Sequence, residues 1–87
     1  MARKSNPKRR KSVRSPTPID QKIAENMLAI RKRKAVSQVA LAEQIGVTFQ
    51  QVQKSEHGIN RIAASRLLRV ARALDEPIAS FFEDCPE

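Results

Sequence analysis

The sequence predicts an all-α fold of five short helices that follow a basic arm. From residue 19 onward, apolar residues recur at the three- and four-residue spacing of amphipathic helices. No segment alternates apolar and polar residues as a half-buried β-strand does. The length of 87 residues allows one small domain.

The first 18 residues differ in composition from the rest of the chain. They contain seven Lys or Arg, no acidic residue, three of the five prolines and almost no apolar side chains. Such a segment cannot bury enough apolar surface to fold, so we predict a disordered basic arm and Pro-rich linker over 1–18. The arm could bind a polyanion, or it could serve only as a solubility tail.

Charge is distributed unevenly along the chain, which carries a net +8. Residues 19–74 hold ten Lys or Arg against four acids, whereas residues 75–87 hold five acids and no base. This asymmetry indicates a polyanion partner for the arm and for the segment 19–74. Nucleic acid fits better than a phospholipid surface because the arm has no apolar face, and no apolar run is long enough to span a membrane.

The first helix is predicted to begin at Asp20 as its N-cap. Ile23, Met27 and Ile30 then recur at i, i+4 and i+7, and a basic run at 31–34 favours the negative end of the helix dipole.

The second helix is predicted over 38–45, with Ser37 as N-cap and Gly46 as a left-handed C-terminal residue. Its side chains predicted to face the interior are Val39, Ala42 and Ile45, with Leu41 beside them.

The third helix is predicted over 49–57 and is poor in apolar residues. Thr48 and Gln51 have the spacing of a capping box, and Gly58 ends the helix. Val52 is its only strong apolar anchor, so most of its side chains should face solvent.

The last two helices are separated by Pro77, which forces a break. The fourth has an apolar stripe of Ala64, Leu67, Leu68, Ala71 and Leu74. In the fifth, Ile78, Phe81 and Phe82 lie at i, i+3 and i+4, and the two adjacent aromatic side chains cannot both face the core.

The second and third helices, joined through Gly46-Val47-Thr48, match a helix-turn-helix. Ala42 is small enough for a close helix crossing, and Val52 fixes the third helix on the core. The glutamines and the lysine of that helix then project outward, where amide and ammonium groups suit the base edges of the major groove.

The residues that carry a family resemblance are SQVALAEQIGVTFQQVQKSEHG (37–58) and SRLLRVARALDEPIASFF (65–82). They resemble the Cro/phage-repressor type (XRE family) of helix-turn-helix transcriptional regulators. The run TFQQVQK, followed by EHGINR and ASRL, is similar to a bacterial subgroup of small regulators. The resemblance implies a lambda-repressor-like DNA-binding domain over 19–83. The residues that follow, 84–87, are an acidic C-terminal end.

The resemblance also implies roles for individual residues. Those expected to read DNA bases are Thr48, Phe49, Gln50, Gln53 and Lys54. Those expected to contact DNA phosphates are Gln38, His57, Asn60 and Arg61. Arg31 and Glu56 match a structural ion pair that joins the first helix to the third.

Three residues depart from the family pattern. Ser55 stands where a large apolar or aromatic residue is usual, so the far end of the third helix should be loosely anchored. Ala63 leaves the fourth helix without an N-cap side chain unless Asn60 assists, and Glu76 stands where Val is usual.

The function that we expect is sequence-specific DNA binding by a transcriptional repressor, acting as a homodimer on a palindromic operator in the cytoplasm, associated with the nucleoid. No catalytic activity is expected, because the sequence has no paired carboxylates, no Cys/His cluster and only two glycines. Nor do we expect a cofactor, a metal, a membrane or a small-molecule ligand. The single Cys85 is expected to be a free thiol. The alternative is a protein-binding adaptor or antitoxin component that uses the same scaffold, with nonspecific nucleic-acid binding by the arm.

Overall fold

The computed structural model describes residues 17–86, which form four α-helices and a 3-10 helix. The α-helices are α1 (Pro18–Arg33), α2 (Gln38–Ile45), α3 (Phe49–Glu56) and α4 (Ala64–Ala73). The 3-10 helix spans Ile78–Phe82 and stands where the sequence predicts the fifth helix. No strand occurs in the described range, so the all-α prediction is confirmed.

The first helix begins earlier than the sequence predicts. Thr17, not Asp20, is the N-cap, and Pro18 occupies the first turn, where its missing N–H has no helical partner to lose. The Thr17 hydroxyl accepts from the Asp20 backbone N–H at 3.2 Å, and the Asp20 carboxylate accepts from the Thr17 backbone N–H at 2.8 Å. Asp20 is therefore the third helical residue (N3), and together with the N-cap Thr17 it forms a capping box. The rest of the predicted arm lies outside the described residues.

The core lies between α1, α2 and α4, and it is completed by the buried face of α3 and by the 3-10 helix. Helix α2 packs on α3 and α4, while α1 packs on α3 and on the 3-10 helix. The buried apolar residues are Ile23, Met27, Ile30, Leu41, Ala42, Ile45, Val52, Leu67, Val70, Ala71, Leu74 and Phe81. This framework holds α3 by one face only.

Two predicted apolar faces are wrong in part. Val39 is exposed, because the buried stripe of α2 is centred on Leu41 and Ile45, one turn apart. In α4 the completely buried residue is Val70, whereas Leu68 and Ala64 are exposed. The apolar stripe therefore runs through Leu67, Val70, Ala71 and Leu74.

The two adjacent phenylalanines point in different directions, as expected. Phe81 is completely buried, whereas Phe82 is 46% exposed. The Asn26 amide of α1 donates to the carbonyls of Phe81 and Glu83, each at 2.9 Å, and so fixes the chain on both sides of Phe82. Cys85 is a half-buried free thiol that packs against the core.

Glu76 has charged partners at the C-terminal end of α1. Its carboxylate lies 3.4 Å from the Arg33 guanidinium and 3.4 Å from the Lys34 ammonium. A hydrogen bond from the Ser80 hydroxyl, together with these two cations, lowers the pKa of Glu76. Glu76, which departs from the family pattern, thus joins the segment before the 3-10 helix to the end of α1. It also pairs with two of the four basic side chains at 31–34.

No helix between residues 17 and 86 combines the length and the apolar character that crossing a bilayer demands. The same range contains no group of three His, Cys, Asp or Glu side chains placed to hold a metal ion.

Candidate nucleic-acid interface

Helix α3 is set against α2 by a three-residue turn. Gly46 adopts the left-handed conformation (φ 74°) that ends α2, and the Val47 N–H donates to the Ala42 carbonyl at 3.0 Å. The Thr48 hydroxyl then accepts from the Gln51 N–H, and the Gln51 side-chain oxygen accepts from the Thr48 N–H, both at 3.1 Å. This capping box is the one predicted for α3, and it fixes the start of the helix.

The side chains of α3 divide into a narrow buried face and a broad exposed face. Val52, Ser55 and Glu56 are buried. The five residues expected to read bases all lie outside this buried face: Thr48, Phe49, Gln50 and Lys54 are exposed, and Gln53 is half-buried. Gln50 and Lys54 are four residues apart, so they share one side of the helix. The exposed face is therefore polar and unobstructed by the described part of the chain.

A buried ion pair joins the C-terminal end of α3 to α1. The Arg31 Nε and Nη2 atoms donate to the two carboxylate oxygens of Glu56 at 2.5 and 3.1 Å. The Arg31 Nη1 atom also donates to the Val36 carbonyl at 2.8 Å. The Glu56 side chain is completely buried and that of Arg31 is 9% exposed. This bidentate geometry fixes the rotation of α3 more tightly than Val52 alone could.

Gln38 has a contact that the sequence did not indicate. Its side-chain nitrogen donates to Glu56 Oε1 at 2.9 Å, so the residue expected to bind phosphate also supports the ion pair. An amide nitrogen has two hydrogens, which leaves one for a phosphate at the N-terminus of α2. One Gln38 side chain can therefore bind a DNA phosphate and also hold Glu56, which orients α3.

The other three residues expected to contact phosphate lie in or next to the loop after α3. His57 is the C-cap of α3, and His57, Asn60 and Arg61 are all exposed. Gly58 is buried with φ 72°, and a side chain there would approach Gln21 of α1 at 3.4 Å. The loop thus crosses close to the N-terminal turn of α1.

Arg61 connects this loop to the start of α1. Its Nε atom lies 3.1 Å from Asp20 Oδ2, in a partly exposed ion pair. A phosphate contact by Arg61 must therefore share or replace the Asp20 carboxylate. Thr17, which directly precedes α1 and bonds to Asp20, therefore lies on the same side of the domain as this loop.

The Asp20 carboxylate is expected to make stability depend on pH. The Thr17 N–H, and then the Thr17 hydroxyl and Arg61, lower the pKa of Asp20. The stability that the ionised Asp20 carboxylate provides is therefore present above the ordinary aspartate pKa of about 3.9. This stability is lost as the pH falls through the lower pKa that Asp20 has in the folded protein. Replacing Asp20 with Asn should cost about 1 kcal/mol at pH 7 and flatten the decline below pH 4. Urea unfolding followed by circular dichroism measures both effects. An equal loss of stability at pH 7 and pH 2 would contradict this expectation.

Ser55 and Arg66 border an open cavity beside α3 that the sequence did not predict. The only signal for it was the serine at a place where the family has a large side chain. As expected from Ala63, the N-terminus of α4 has no side-chain cap, and Asn60 does not supply one.

Comparison with known proteins agrees with this architecture. A helix-turn-helix family model (HTH_3) matches residues 27–81, which include the complete α2–turn–α3 unit. A protein of Sinorhizobium medicae described as an uncharacterized HTH-type transcriptional regulator is 42% identical over 73 residues, 84% of this chain and 52% of that protein. The chain spans about half the length of the first curated relatives that it matches.

Two solved structures are similar to the fold. The restriction-modification controller protein C.AhdI from Aeromonas hydrophila has a TM-score of 0.68 and 27% identity over 71% of this chain and 94% of that one. The hypothetical transcription factor NHTF from Neisseria has a TM-score of 0.68 and 30% identity over 74% of each chain. From the match over residues 27–81 and these relatives, the chain belongs to the HTH_3 helix-turn-helix family of Cro/phage-repressor-type (XRE) regulators.

Proposed function

We propose that this chain is a sequence-specific DNA-binding repressor that reads the major groove with α3. The observation that carries the proposal is the exposed polar face of α3, held by the buried pair of Arg31 and Glu56. A helix that is fixed on one side and polar on the other can enter the groove without losing its own packing. The relatives described as transcriptional regulators support the same reading.

The side chains of α3 suggest which bases they recognise. Gln50 can form a bidentate contact with adenine, and Lys54 can donate to the O6 and N7 atoms of guanine. Phe49 is 38% exposed at the first turn, where an aromatic edge can pack on a thymine methyl group. Thr48 and Gln53 flank these three residues and complete the reading surface.

Contacts to phosphate would fix the position of α3 in the groove. Gln38 lies at the first turn of α2, and His57, Asn60 and Arg61 lie at the other end of α3. Backbone contacts on both sides of a recognition helix set its register without reading sequence.

We further propose that the protein binds DNA as a homodimer on a palindromic operator. Leu68 of α4 and Ile78 and Phe82 of the 3-10 helix are large apolar side chains that are 38–46% exposed, on two elements in mutual contact. A symmetric interface through this face would hide them from water. The two copies of α3 would then need to lie about 34 Å apart, one turn of DNA.

Selection of bound sequences from a random duplex pool tests this function. We expect enrichment of a palindrome with half-sites one helical turn apart. Enrichment of no sequence would overturn the proposal and would favour a protein-binding adaptor or antitoxin component.

Replacement of Gln50 with Ala should relax the preference at one base position in each half-site. The expected loss is about 1–3 kcal/mol on the preferred sequence and little on sequences altered at that position. Gln44→Ala, a change of the same kind at an exposed residue near the end of α2, is the control and should leave specificity unchanged. Equal losses of affinity on all sequences would show that Gln50 does not read a base.

Deletion of residues 1–16 should weaken binding to all sequences and flatten its salt dependence. The segment removed holds seven Lys or Arg, and each DNA phosphate that is no longer neutralised lowers the slope of log K against log salt by about 0.9. The deletion stops before Thr17 because that residue caps α1. Binding titrations over a range of salt concentrations measure the slope, and an unchanged slope would leave the arm without a role in binding DNA.

A further inference from the structure

An open cavity of about 390 Å³ lies between α3, the loop that follows it and the first turn of α4. The residues that line it are Gln51, Ser55, Ile59, Asn60, Arg61 and Arg66. Two of the six are arginines, three others carry hydrogen-bonding groups, and none is acidic. A concave surface with this composition matches an anion that accepts several hydrogen bonds.

Ser55 is a buried residue whose hydroxyl has no hydrogen-bond partner among the described residues. The residue is only 7% exposed, and no hydrogen bond to its side chain exists within residues 17–86. No fully buried side-chain polar atom in this range lacks a partner, so the hydroxyl must be open to the cavity that Ser55 lines. A large apolar side chain at this position would fill the space and remove the donor.

The α4 side of the cavity also carries hydrogen-bond donors and positive charge that no described protein group satisfies. Helix α4 has ten residues and begins at Ala63 without any side-chain cap, and the cavity reaches its first turn at Arg66. An uncapped helix N-terminus carries a partial positive charge that favours anions. Within the described residues Arg66 has no ion-pair partner, whereas Arg61 is paired with Asp20. Arg66 is therefore the cation of the cavity whose charge is not compensated.

The position of the cavity relative to α3 indicates which anion can reach it. Gln51 lies about 100° around the helix axis from Gln50, so the cavity is on a flank of α3, next to the face proposed to enter the groove. A helix in the major groove has a sugar-phosphate strand along each flank, because the groove is about 12 Å wide. A phosphate is thus the anion that DNA would bring to this place.

We propose that this cavity is a phosphate-binding site, occupied by a phosphodiester of the DNA backbone beside α3. Arg66 and the Ser55 hydroxyl are its ligands, in addition to the phosphate contacts proposed for Asn60 and Arg61. The inference rests on the proposed DNA binding, but it assigns two residues that the helix-turn-helix pattern did not indicate. It also gives the serine at position 55 a binding role in place of the missing packing.

Replacement of Arg66 with Gln tests the cation. Affinity should fall about tenfold on the selected operator and on unrelated duplex alike, as for loss of a hydrogen bond to a charged group. The slope of log K against log salt should fall by about 1. Arg69→Gln is the control, because it removes the same charge from an exposed position of α4 outside the cavity, and it should leave the slope unchanged. Equal slopes for the Arg66 variant and the unaltered protein would overturn the proposal.

Two replacements of Ser55 separate binding from packing. Ser55→Leu fills the cavity with an apolar side chain, so it should weaken DNA binding about tenfold while the unfolding temperature stays the same or rises. Ser55→Ala keeps the space and removes the hydroxyl, so a smaller loss is expected. If Ser55→Leu binds DNA as tightly as serine does, the cavity is only a gap in the packing and the proposal fails.

Titration of the unaltered protein with inorganic phosphate, without DNA, identifies the source of the anion. Sodium phosphate should shift the backbone NMR signals of Ser55 and Arg66 saturably, whereas sodium chloride at equal ionic strength should not. Saturable shifts in a protein that binds no duplex would overturn DNA as the occupant. Duplex binding with no shift and no effect of Arg66→Gln would overturn the phosphate site and leave the proposed function intact.

Discussion

Replacement of Glu56 with Ala is expected to lower the free energy of unfolding by about 3–5 kcal/mol. The change leaves the Arg31 guanidinium buried, and among residues 17–86 its one remaining partner is the Val36 carbonyl. It also removes the acceptor of the Gln38 amide. For a domain of this size such a loss is a large part of the total stability. Urea unfolding followed by circular dichroism is the measurement, since the chain has no Trp or Tyr for fluorescence.

Glu43→Ala is the matched control for this prediction. It removes a carboxylate from an exposed position of α2 that has no ion pair within the described residues, so stability should change by less than about 0.5 kcal/mol. A loss for Glu56→Ala no greater than that of the control would show that the pair contributes little to stability.

A double replacement asks whether the pair also orients α3. Exchanging Arg31 for Met and Glu56 for Leu removes both charges, and such exchanges are often neutral or stabilising. We expect the double variant to remain folded and yet to bind its operator more weakly. The reason is that Ser55 offers no apolar contact that could hold the end of α3 in the absence of the pair. Operator affinity equal to that of the unaltered protein would argue that Val52 and the capping box are sufficient.

The parts of the fold that the sequence predicts well are those with local causes. The turn at Gly46 and the capping box of Thr48 and Gln51 depend on residues at most three positions apart, and the structure contains both. The start of α1 is predicted too late because Thr17 and Pro18 resemble the Pro-rich linker in composition. A Thr-Pro pair followed by Asp at the third helical position is itself a local signal for the N-terminus of a helix.

The parts that the sequence predicts poorly depend on packing between helices. Val39 and Leu68 are as apolar as the residues that are buried, and it is the packing of α2 and α4 on their neighbours that leaves them exposed. The cavity at Ser55 has the same origin. A serine indicates that something is missing from the usual pattern, but not that Arg66 borders the same space.

Phe81 and Phe82 should respond to truncation in opposite ways. Phe81→Ala removes a completely buried ring that packs with the core, so it should lower the free energy of unfolding by about 3–5 kcal/mol at any protein concentration. Phe82→Ala truncates a ring that is 46% exposed, so the monomer should lose less than about 1 kcal/mol. Asn26 still holds both flanking carbonyls in this variant, so the backbone of the 3-10 helix should remain in place.

The same pair of variants tests the proposed homodimer. If the face containing Phe82, Leu68 and Ile78 joins two copies, Phe82→Ala should raise the dimer dissociation constant and weaken operator binding while the monomer stays folded. Sedimentation equilibrium measures the dissociation constant directly, and a single half-site duplex shows whether each monomer still binds DNA. An unchanged dissociation constant would place the dimer interface elsewhere. Phe81 supports the fold and Phe82 faces solvent beside it, so comparing the two variants distinguishes unfolding of the domain from loss of dimerisation.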